Sequence, residues 1–218
     1  MHFQVHKNVI PLDIVNQIVD FFNKNDDIKE NKNYMEKINK PWQYPVVNQL
    51  DKILKNFLDT SNNFGDNIYK HSYAYFPHTD TDPVHDTINA LIPLYVEGNK
   101  YQPFVIFDQY STNKNAKTWM IQDDKDTSFK KNIVEKNSIF EDNDIVGCVD
   151  KEIDEEFYTK YLENNFRPRS LFYGLTGTAV DFVPGNLIMF NSNHIHATGK
   201  MLADFKIGLV LRFKGKLQ

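Results

Sequence analysis

Cysteine is nearly absent from this sequence, since Cys148 is the only one in 218 residues. A disulfide framework needs cysteine pairs and a thiolate metal cluster needs several thiolates, so one chain can build neither. We therefore expect Cys148 to serve as a small, buried, apolar side chain.

Long apolar runs are absent as well. No stretch of about twenty apolar residues, the length that crosses a bilayer as a helix, occurs in the chain. Residues 1–7 lack the apolar segment and the small-residue cleavage site of a secretory signal. The sequence therefore predicts a cytoplasmic protein with no membrane partner.

An excess of basic charge is also missing, with 25 Lys and Arg against 29 Asp and Glu and a net charge of −4. Proteins that bind nucleic acid usually carry a basic stripe, so this balance argues against such a partner. Hydrophobic residues make up 41% of the chain, enough for a protein of this length to bury one core. We expect a single domain over residues 1–218, and the sequence gives no indication of its oligomeric state.

The pattern of apolar residues changes along the chain. Helical spacing predicts a first helix over Pro11–Asn23 and a second over about Val46–Leu58. Short β-branched and aromatic runs then predict strands. These runs are Ile68–Phe76, Ile88–Val96, Phe104–Phe107, Ala179–Phe182, Leu187–Phe190 and Phe205–Phe213. The order indicates an α+β, mainly β domain whose sheets form a sandwich or jelly roll, with the N-terminal helices packed on one sheet.

A polar segment at about 109–168 interrupts the strands and contains a predicted helix over Glu152–Leu162. Loops of this length are either functional lids or disordered excursions, and the scattered aromatic residues favour partial order. We interpret the segment as a lid-like insertion over a site.

The triplet His78-Thr79-Asp80 directly follows a tyrosine-rich predicted strand. Side chains at positions i and i+2 of an extended chain point to the same side, so one metal ion could contact both His78 and Asp80. A hydrogen-bonded surface turn could carry the same triplet, and taken alone the triplet favours that interpretation.

A second candidate element begins at the turn Pro184-Gly185, which leads into an apolar strand with His194 and His196 at its far end. Either histidine could bind a metal, and the other could support it or contact a substrate. A lone histidine after a strand is more often a structural residue, so this element is also weak by itself.

The last predicted strand places Lys206, Gly208, Val210 and Arg212 on one face. A lysine that points into a barrel is costly unless an anion pairs with it, and a carboxylate-bearing cosubstrate would be such an anion. The alternative is an edge strand with Lys206 and Arg212 in water.

Together, the order and spacing of these elements resemble the 2-oxoglutarate- and iron(II)-dependent dioxygenases, in particular the small prolyl-4-hydroxylase-like type of phages and bacteria. The resemblance implies a double-stranded β-helix, a distorted jelly roll, with iron(II) bound by His78, Asp80 and His196. It selects His196 over His194. It also selects Lys206, ten positions after His196, over Arg212 as the residue that binds 2-oxoglutarate.

The reaction that the resemblance implies uses O2 and 2-oxoglutarate to hydroxylate a C–H bond and produces succinate and CO2. The substrate is unidentified, with a protein side chain favoured and a small metabolite second. If the protein is encoded by a virus, the host cytoplasm is its expected location.

The sequence departs from the family in the cosubstrate site. Most relatives carry arginine where this chain has Lys206, with Ser or Thr two positions on, where this chain has Gly208. An ammonium is a point charge rather than a bidentate fork, so a hydroxyl group from elsewhere becomes more necessary. We expect Tyr73 or Tyr75 to provide it.

Two other functions fit the same residues. A zinc hydrolase could use the two histidines and the aspartate to activate water. A non-catalytic jelly-roll binding or structural module would merely pack the histidines.

Overall fold

The computed structural model describes residues 3–32, 35–74, 77–80, 86–112, 119–122, 132–133, 145–163 and 169–217. Within these ranges the chain is mainly β, with four α-helices. The helices are α1 Leu12–Lys24, α2 Pro45–Asn48, α3 Asp51–Leu54 and α4 Glu155–Tyr161. The strands are β1 Phe3–His6, β2 Glu30–Lys32, β3 Met35–Asn39, β4 Asn63–His71, β5 His78–Thr79, β6 Thr87–Val96, β7 Pro103–Ser111, β8 Trp119–Gln122, β9 Asn132–Ile133, β10 Ile145–Val146, β11 Gly177–Asp181, β12 Leu187–Asn191, β13 His194–Ala197 and β14 Lys206–Lys214.

Helix α1 confirms the first predicted helix to within one residue at each end. Pro11 stands at its N-cap, where the fixed φ of proline suits the start of a helix and no donor is lost from the helix interior. Val15, Ile18 and Phe22 are buried on one side, as the spacing predicts. The helix therefore owes its position to this apolar stripe.

The second predicted helix is wrong as one continuous element, because the structure has α2 and α3 instead. At the junction the amide of Leu50 donates to the carbonyl of Val47, and the amide of Ile53 donates to the carbonyl of Leu50, both at 3.0 Å. These i to i+3 bonds tighten the chain, although Val47, Leu50 and Leu54 still face the core.

Seven strands form a large antiparallel sheet in the order β1-β12-β6-β14-β4-β3-β2. The strands predicted at 88–96, 187–190 and 205–213 are confirmed as β6, β12 and β14. The strand predicted at 68–76 is shifted, since β4 begins at Asn63 and ends at His71. Residues 72–74 do not continue it, and residues 75 and 76 lie outside the described residues.

The second sheet has the order β10-β7-β13-β5-β8-β9. Strand β11 also belongs to this sheet and pairs with residues 103–107 of β7. The predicted strands at 104–107 and 179–182 are confirmed as β7 and β11. Strand β8 belongs to the segment predicted as an insertion, and its backbone pairs with β5 at the register His78↔Met120. Strand β8 of the insertion therefore lies directly beside the His78 strand.

Apolar side chains hold these layers together. One cluster joins α1, α2 and α3 to the outer face of the large sheet, and it includes Phe22, Leu50, Leu209 and Phe213. A second cluster lies between the sheets and includes Leu91, Phe104, Phe182, Ile188 and Phe190. The predicted packing of the N-terminal helices on one sheet is confirmed, and the other face of that sheet is available for a site.

Two smaller predictions have different outcomes. The helix predicted at 152–162 is present as α4, which Asp154 caps by accepting a hydrogen bond from the amide of Phe157 at 2.9 Å. The burial of Cys148 was predicted wrongly, because this residue is exposed. It directly follows Gly147, whose φ of 85° turns the chain at the surface after β10.

Among the described residues, no helix is both long and apolar enough to span a bilayer.

Candidate metal centre

His78 and His196 face each other across two hydrogen-bonded strands. His196 of β13 is the register partner of His78 of β5. Their ring centroids are 4.2 Å apart, at an angle of 52°. Strand β13 is held on its other side by β7, so the position of His196 is fixed by strands on both sides.

Asp80 completes the group immediately after β5. Its amide donates to the carbonyl of Ser192 at 2.9 Å, which anchors the backbone next to the turn that precedes β13. Its Oδ1 lies 3.9 Å from Nε2 of His78, and its Oδ2 lies 3.6 Å from Nε2 of His196. One donor atom from each residue lies within 4.8 Å of the others. The structure thus brings together the three side chains that the sequence singled out.

The tautomer of His196 suits a metal ligand. Its Nδ1 lies 3.0 Å from the carbonyl oxygen of His194, and a carbonyl only accepts hydrogen bonds. The proton of the ring therefore sits on Nδ1, and Nε2 is left to face Asp80. An imidazole held in this way by a backbone carbonyl is the usual arrangement of a metal-binding histidine.

The carboxylate of Asp80 remains ionised despite its surroundings. Burial alone would raise its pKa, but the Arg212 guanidinium and the nearby imidazoles of His196 and His78 hold the pKa well below its usual range. Arg212 approaches Oδ2 to 3.1 Å, and the side-chain amide of Asn89 donates to the same oxygen at 3.1 Å. Asp80 is therefore negatively charged at neutral pH, as a carboxylate must be to bind a metal ion.

His194 lies apart from this group. The register of β13 against β7 shifts between His194 and His196, so the two residues do not continue a regular pairing. The Nδ1 of His194 lies 3.2 Å from the carbonyl of Phe107, and its ring lies 5.5 Å from that of Tyr110. Of the two histidines left open by the sequence, the structure places His196 with His78 and Asp80.

A cavity of about 160 Å³ opens next to these residues. Its walls come from the inner face of the large sheet and from His78, Asp80 and His196. The described lining residues are Met35, Lys37, Asn67, Tyr69, His71, His78, Asp80, Leu91, Phe104, Phe190, His196, Thr198, Val210 and Arg212. Five of these side chains are apolar, and the other nine carry polar groups.

Lys206 is a buried cation at the start of β14. Its side chain is 1% exposed. Its Nζ lies 3.4 Å from the carbonyl of Thr198 and 4.3 Å from the centre of the Phe182 ring. No carboxylate among the described residues forms an ion pair with it, and burial lowers its pKa to about 7. The edge-strand alternative is wrong, because β14 is hydrogen-bonded between β4 and β6. A buried ammonium without a carboxylate partner among the described residues is suited to bind an anionic ligand.

Arg212, the other predicted candidate for the cosubstrate, lies at the opposite end of the same strand face. It lines the cavity and pairs with Asp80, as described above. The two cations of β14 therefore have different surroundings: Lys206 is fully buried, and Arg212 lies beside the carboxylate of Asp80.

The two tyrosines predicted to supply a hydroxyl have different outcomes. The ring of Tyr73 lies 5.8 Å from that of His71, and Tyr73 is not among the described lining residues. Tyr75 lies outside the described residues. The sequence analysis missed Tyr69, which lines the cavity and is the register partner of Gly208. A Cβ at Gly208 would lie 2.9 Å from the Tyr69 hydroxyl, so the missing side chain makes room for that hydroxyl.

Burial also sets the protonation of two cavity residues. It raises the pKa of Tyr69, whose hydroxyl therefore stays protonated and can donate. Burial, with the nearby Lys206 and His78, lowers the pKa of His71 to about 3, so His71 is neutral. His71, the register partner of Lys206, therefore adds no positive charge beside it.

Comparison of the sequence finds no matching protein-family model and no matching curated protein. Comparison of the fold finds solved structures that cover nearly the whole chain. The epimerase SnoN, in complex with Fe3+, alpha ketoglutarate and nogalamycin RO, superposes with a TM-score of 0.52 at 10% identity, over 98% of this chain and 79% of its own. HygX from Streptomyces hygroscopicus, with nickel and 2-oxoglutarate bound, gives 0.55 at 13% identity, over 98% and 82%. The viral collagen prolyl hydroxylase vCPH from Paramecium Bursaria Chlorella virus-1, as its 2OG complex, gives 0.52 at 11% identity, over 99% and 97%. The predicted resemblance is confirmed at the level of the fold, which is similar to that of 2-oxoglutarate-dependent enzymes.

Proposed function

We propose that this chain is an iron(II)- and 2-oxoglutarate-dependent oxygenase that hydroxylates a C–H bond and produces succinate and CO2. The observation that carries the proposal is the convergence of His78, Asp80 and His196 within 4.8 Å, in a fold similar to that of such enzymes. Two imidazoles and one carboxylate form the facial ligand set of non-haem iron(II) oxygenases. The double-stranded β-helix expected for the family is part of the same proposal.

The donor set fits the metal. His78, Asp80 and His196 would hold iron(II), with His196 oriented by the carbonyl of His194 and Asp80 oriented by Asn89. When bound, iron(II) supplies the redox chemistry by which O2 oxidises 2-oxoglutarate to succinate and CO2 and inserts an oxygen atom into the substrate. The protein contributes the position of the three ligands and the ionised state of the carboxylate.

Lys206 fits the distal carboxylate of 2-oxoglutarate. A buried ammonium without a carboxylate partner in the described chain is unfavourable until an anion arrives. Tyr69 would add the hydrogen bond that a lone ammonium lacks, because its protonated hydroxyl fills the space over Gly208. In this proposal Tyr69 takes the role that the sequence analysis gave to Tyr73 or Tyr75.

The apolar walls of the cavity would keep water from the reacting groups. Leu91, Phe104, Phe190 and Val210 line the space beside the three ligands. Exclusion of water strengthens the electrostatic interactions inside a site and prevents side reactions. These side chains therefore serve the reaction by position rather than by chemistry.

The segment 109–168 would cover the mouth of the site, within a single domain spanning residues 1–218. The pairing of β8 with β5 supports this, since it attaches one strand of the segment to the strand that carries His78. We expect the rest of the segment to select the substrate. A protein side chain is the favoured substrate class and a small metabolite is second.

The test is anaerobic loading followed by turnover. The parent protein should bind iron(II), develop visible absorbance on addition of 2-oxoglutarate, and release succinate when O2 is admitted. Asp80→Ala should abolish succinate formation while circular dichroism shows a folded protein. Asp20→Asn, which removes an exposed carboxylate on α1, is the matched control and should behave as the parent does.

The two alternatives predict different results. A zinc hydrolase would bind zinc, hydrolyse its substrate without 2-oxoglutarate and form no succinate. A non-catalytic module would bind no iron and give no absorbance. The buried Lys206 favours the oxygenase, because a hydrolytic metal site has no need of a second, buried anion site.

A further inference from the structure

We propose that Arg212 keeps the metal centre in its ferrous state, because its guanidinium, held against Asp80, disfavours iron(III) more than iron(II). Arg212 is then a positioning residue that acts on the metal through a ligand, and it does not contact the substrate. This inference rests on the proposed function and adds a control of the oxidation state to it.

Arg212 and Asn89 reach the carboxylate of Asp80 from the large sheet. The two residues are register partners on β14 and β6. Nη2 of Arg212 and Nδ2 of Asn89 each lie 3.1 Å from Oδ2 of Asp80. Asp80 follows β5 of the second sheet, so both contacts cross from one sheet to the other. The charge of Arg212 therefore lies against the one carboxylate among the three proposed ligands.

The neighbouring strand leaves room for Arg212 in this place. Its register partner on β4 is Gly65. A Cβ at Gly65 would lie 3.7 Å from Cδ and 3.9 Å from Nη1 of Arg212, so the arginine side chain lies close to the Gly65 backbone. The side chains of Arg212 and Asp80 are only 23% and 16% exposed. Solvent therefore screens the charge of Arg212 only in part.

A second carboxylate near Arg212 lies on the other face of the large sheet. Asp66 interacts electrostatically with Arg212. It is the register partner of Leu211, whose side chain packs beneath the helices, and its Oδ2 accepts a hydrogen bond from the amide of Trp42. Burial would raise the pKa of Asp80, and the Arg212 guanidinium is the strongest influence that lowers it. Asp66 stays in place when Arg212 is replaced, so the difference between parent and variant reports the charge of Arg212.

The effect of this charge depends on the oxidation state of the iron. The repulsion between two cations grows with the product of their charges, so a guanidinium opposes a trication more strongly than a dication. When iron(II) gives up one electron to O2, which becomes superoxide, iron(III) is left beside the guanidinium. The proposed reaction begins with iron(II), so this side reaction would inactivate the protein. Arg212 opposes it by raising the reduction potential of the iron.

The reduction potential of the bound iron is the measurement that tests the proposal. Mn(II) binding to the parent protein is measured first, by electron paramagnetic resonance, because its failure would sink the proposed function. The midpoint potential of iron bound without 2-oxoglutarate is then found by anaerobic titration with redox mediators, using the resonance of iron(III) as the signal. Arg212→Gln should favour iron(III) over iron(II) by about tenfold or more relative to the parent, which lowers the potential by about 59 mV or more.

Three further variants complete the test. Arg212→Met also removes the charge, so it supplies the measurement if the glutamine variant does not fold by circular dichroism. Arg212→Lys keeps the charge and should retain most of the potential of the parent. Lys214→Gln removes a charge from an exposed position of the same strand and should leave the potential unchanged.

Mn(II) affinity separates an effect of charge from an effect of position. Loss of a repelling charge should leave Mn(II) binding as tight as in the parent or tighter, whereas a misplaced Asp80 would weaken it. A loss of Mn(II) affinity of about tenfold or more in the neutral variants would overturn the proposal, since a partner that merely orients a metal ligand has an effect of that size.

The potentials themselves can also overturn it. An unchanged or higher potential in the neutral variants would show that the charge does not act on the iron. An equal fall of the potential in Arg212→Lys would assign the effect to the shape of the guanidinium instead. In each of these cases the parent would still bind Mn(II) and form succinate, so the proposed function would stand.

Discussion

His196 is the register partner of His78, and this is the one matched pair between β13 and β5. The Nδ1 of His194, two residues earlier, lies within hydrogen-bonding distance of the carbonyl oxygen of Phe107 instead. The metal centre therefore depends on which histidine of β13 falls at this position. The shift of register between the two histidines separates their roles, since a regular strand would place both on one face.

Substitution of the two histidines should separate their roles in metal binding. His196→Gln removes a proposed ligand and should weaken Mn(II) binding by about 100-fold or more, whereas His194→Gln should change it by about threefold or less. Mn(II) titration followed by electron paramagnetic resonance measures both, with circular dichroism to confirm folding. The opposite order of effects would transfer the ligand role to His194.

The affinity for 2-oxoglutarate should decrease as the pH rises above 7. Lys206 in the free protein has a pKa of about 7, and a bound carboxylate requires its protonated form, so binding takes up a proton above that pH. The Kd should therefore rise by up to about tenfold per pH unit between pH 7 and pH 9. Lys206→Arg keeps its charge over this range, and its 2-oxoglutarate Kd should vary less with pH. Equally flat profiles in the parent and the variant would contradict this assignment.

Removal of the buried charge should stabilise the ligand-free protein at neutral pH and below. The folded pKa of Lys206 lies below its ordinary value of 10.5, so the cost of burying the ammonium is fully present below pH 7 and disappears as the pH rises toward 10.5. Lys206→Met should raise the free energy of unfolding by about 2–4 kcal/mol at pH 6 and by much less at pH 10. Urea denaturation at the two pH values measures the difference, and the exposed Lys214→Met is the control. A variant less stable than the parent at pH 6 would show that Lys206 already has an anionic partner.

A side chain at Gly208 should disturb the proposed cosubstrate site. The added Cβ would lie 2.9 Å from the Tyr69 hydroxyl and 3.1 Å from the edge of the Phe182 ring. Gly208→Ala should therefore cost about 1–3 kcal/mol of stability and weaken 2-oxoglutarate binding. Gly65→Ala on the neighbouring strand is the control, because its Cβ would meet Arg212 at an ordinary 3.7 Å. If both variants bind 2-oxoglutarate as the parent does, the hydroxyl of Tyr69 is not part of that site.

The sequence predicted the parts of the site that depend on local spacing. His78 and Asp80 are two residues apart, and His196 follows an apolar strand, so their residue types and order were visible in the sequence. Strands β6, β12 and β14 were equally visible, because their apolar runs are bounded by turn residues.

Other contacts depend on strand register and could not be predicted in this way. The pair of Arg212 with Asp80 joins the end of β14 to the residue after β5, and the overlap of Tyr69 with Gly208 depends on the pairing of β4 with β14. A tyrosine opposite a glycine is a usable signal only once that pairing is known. The break between α2 and α3 also escaped prediction, since both segments keep the same apolar stripe.

The central place of β14 has a consequence for biosynthesis. This strand follows all the other described strands in chain order, yet it lies between β4 and β6 in the middle of the large sheet. During translation the nascent chain therefore carries two unpaired strand edges until β14 has left the ribosome, and such edges favour aggregation. We expect the large sheet to form only after β14 has been synthesised, and the yield of the protein in cells to depend on chaperones that shield those edges.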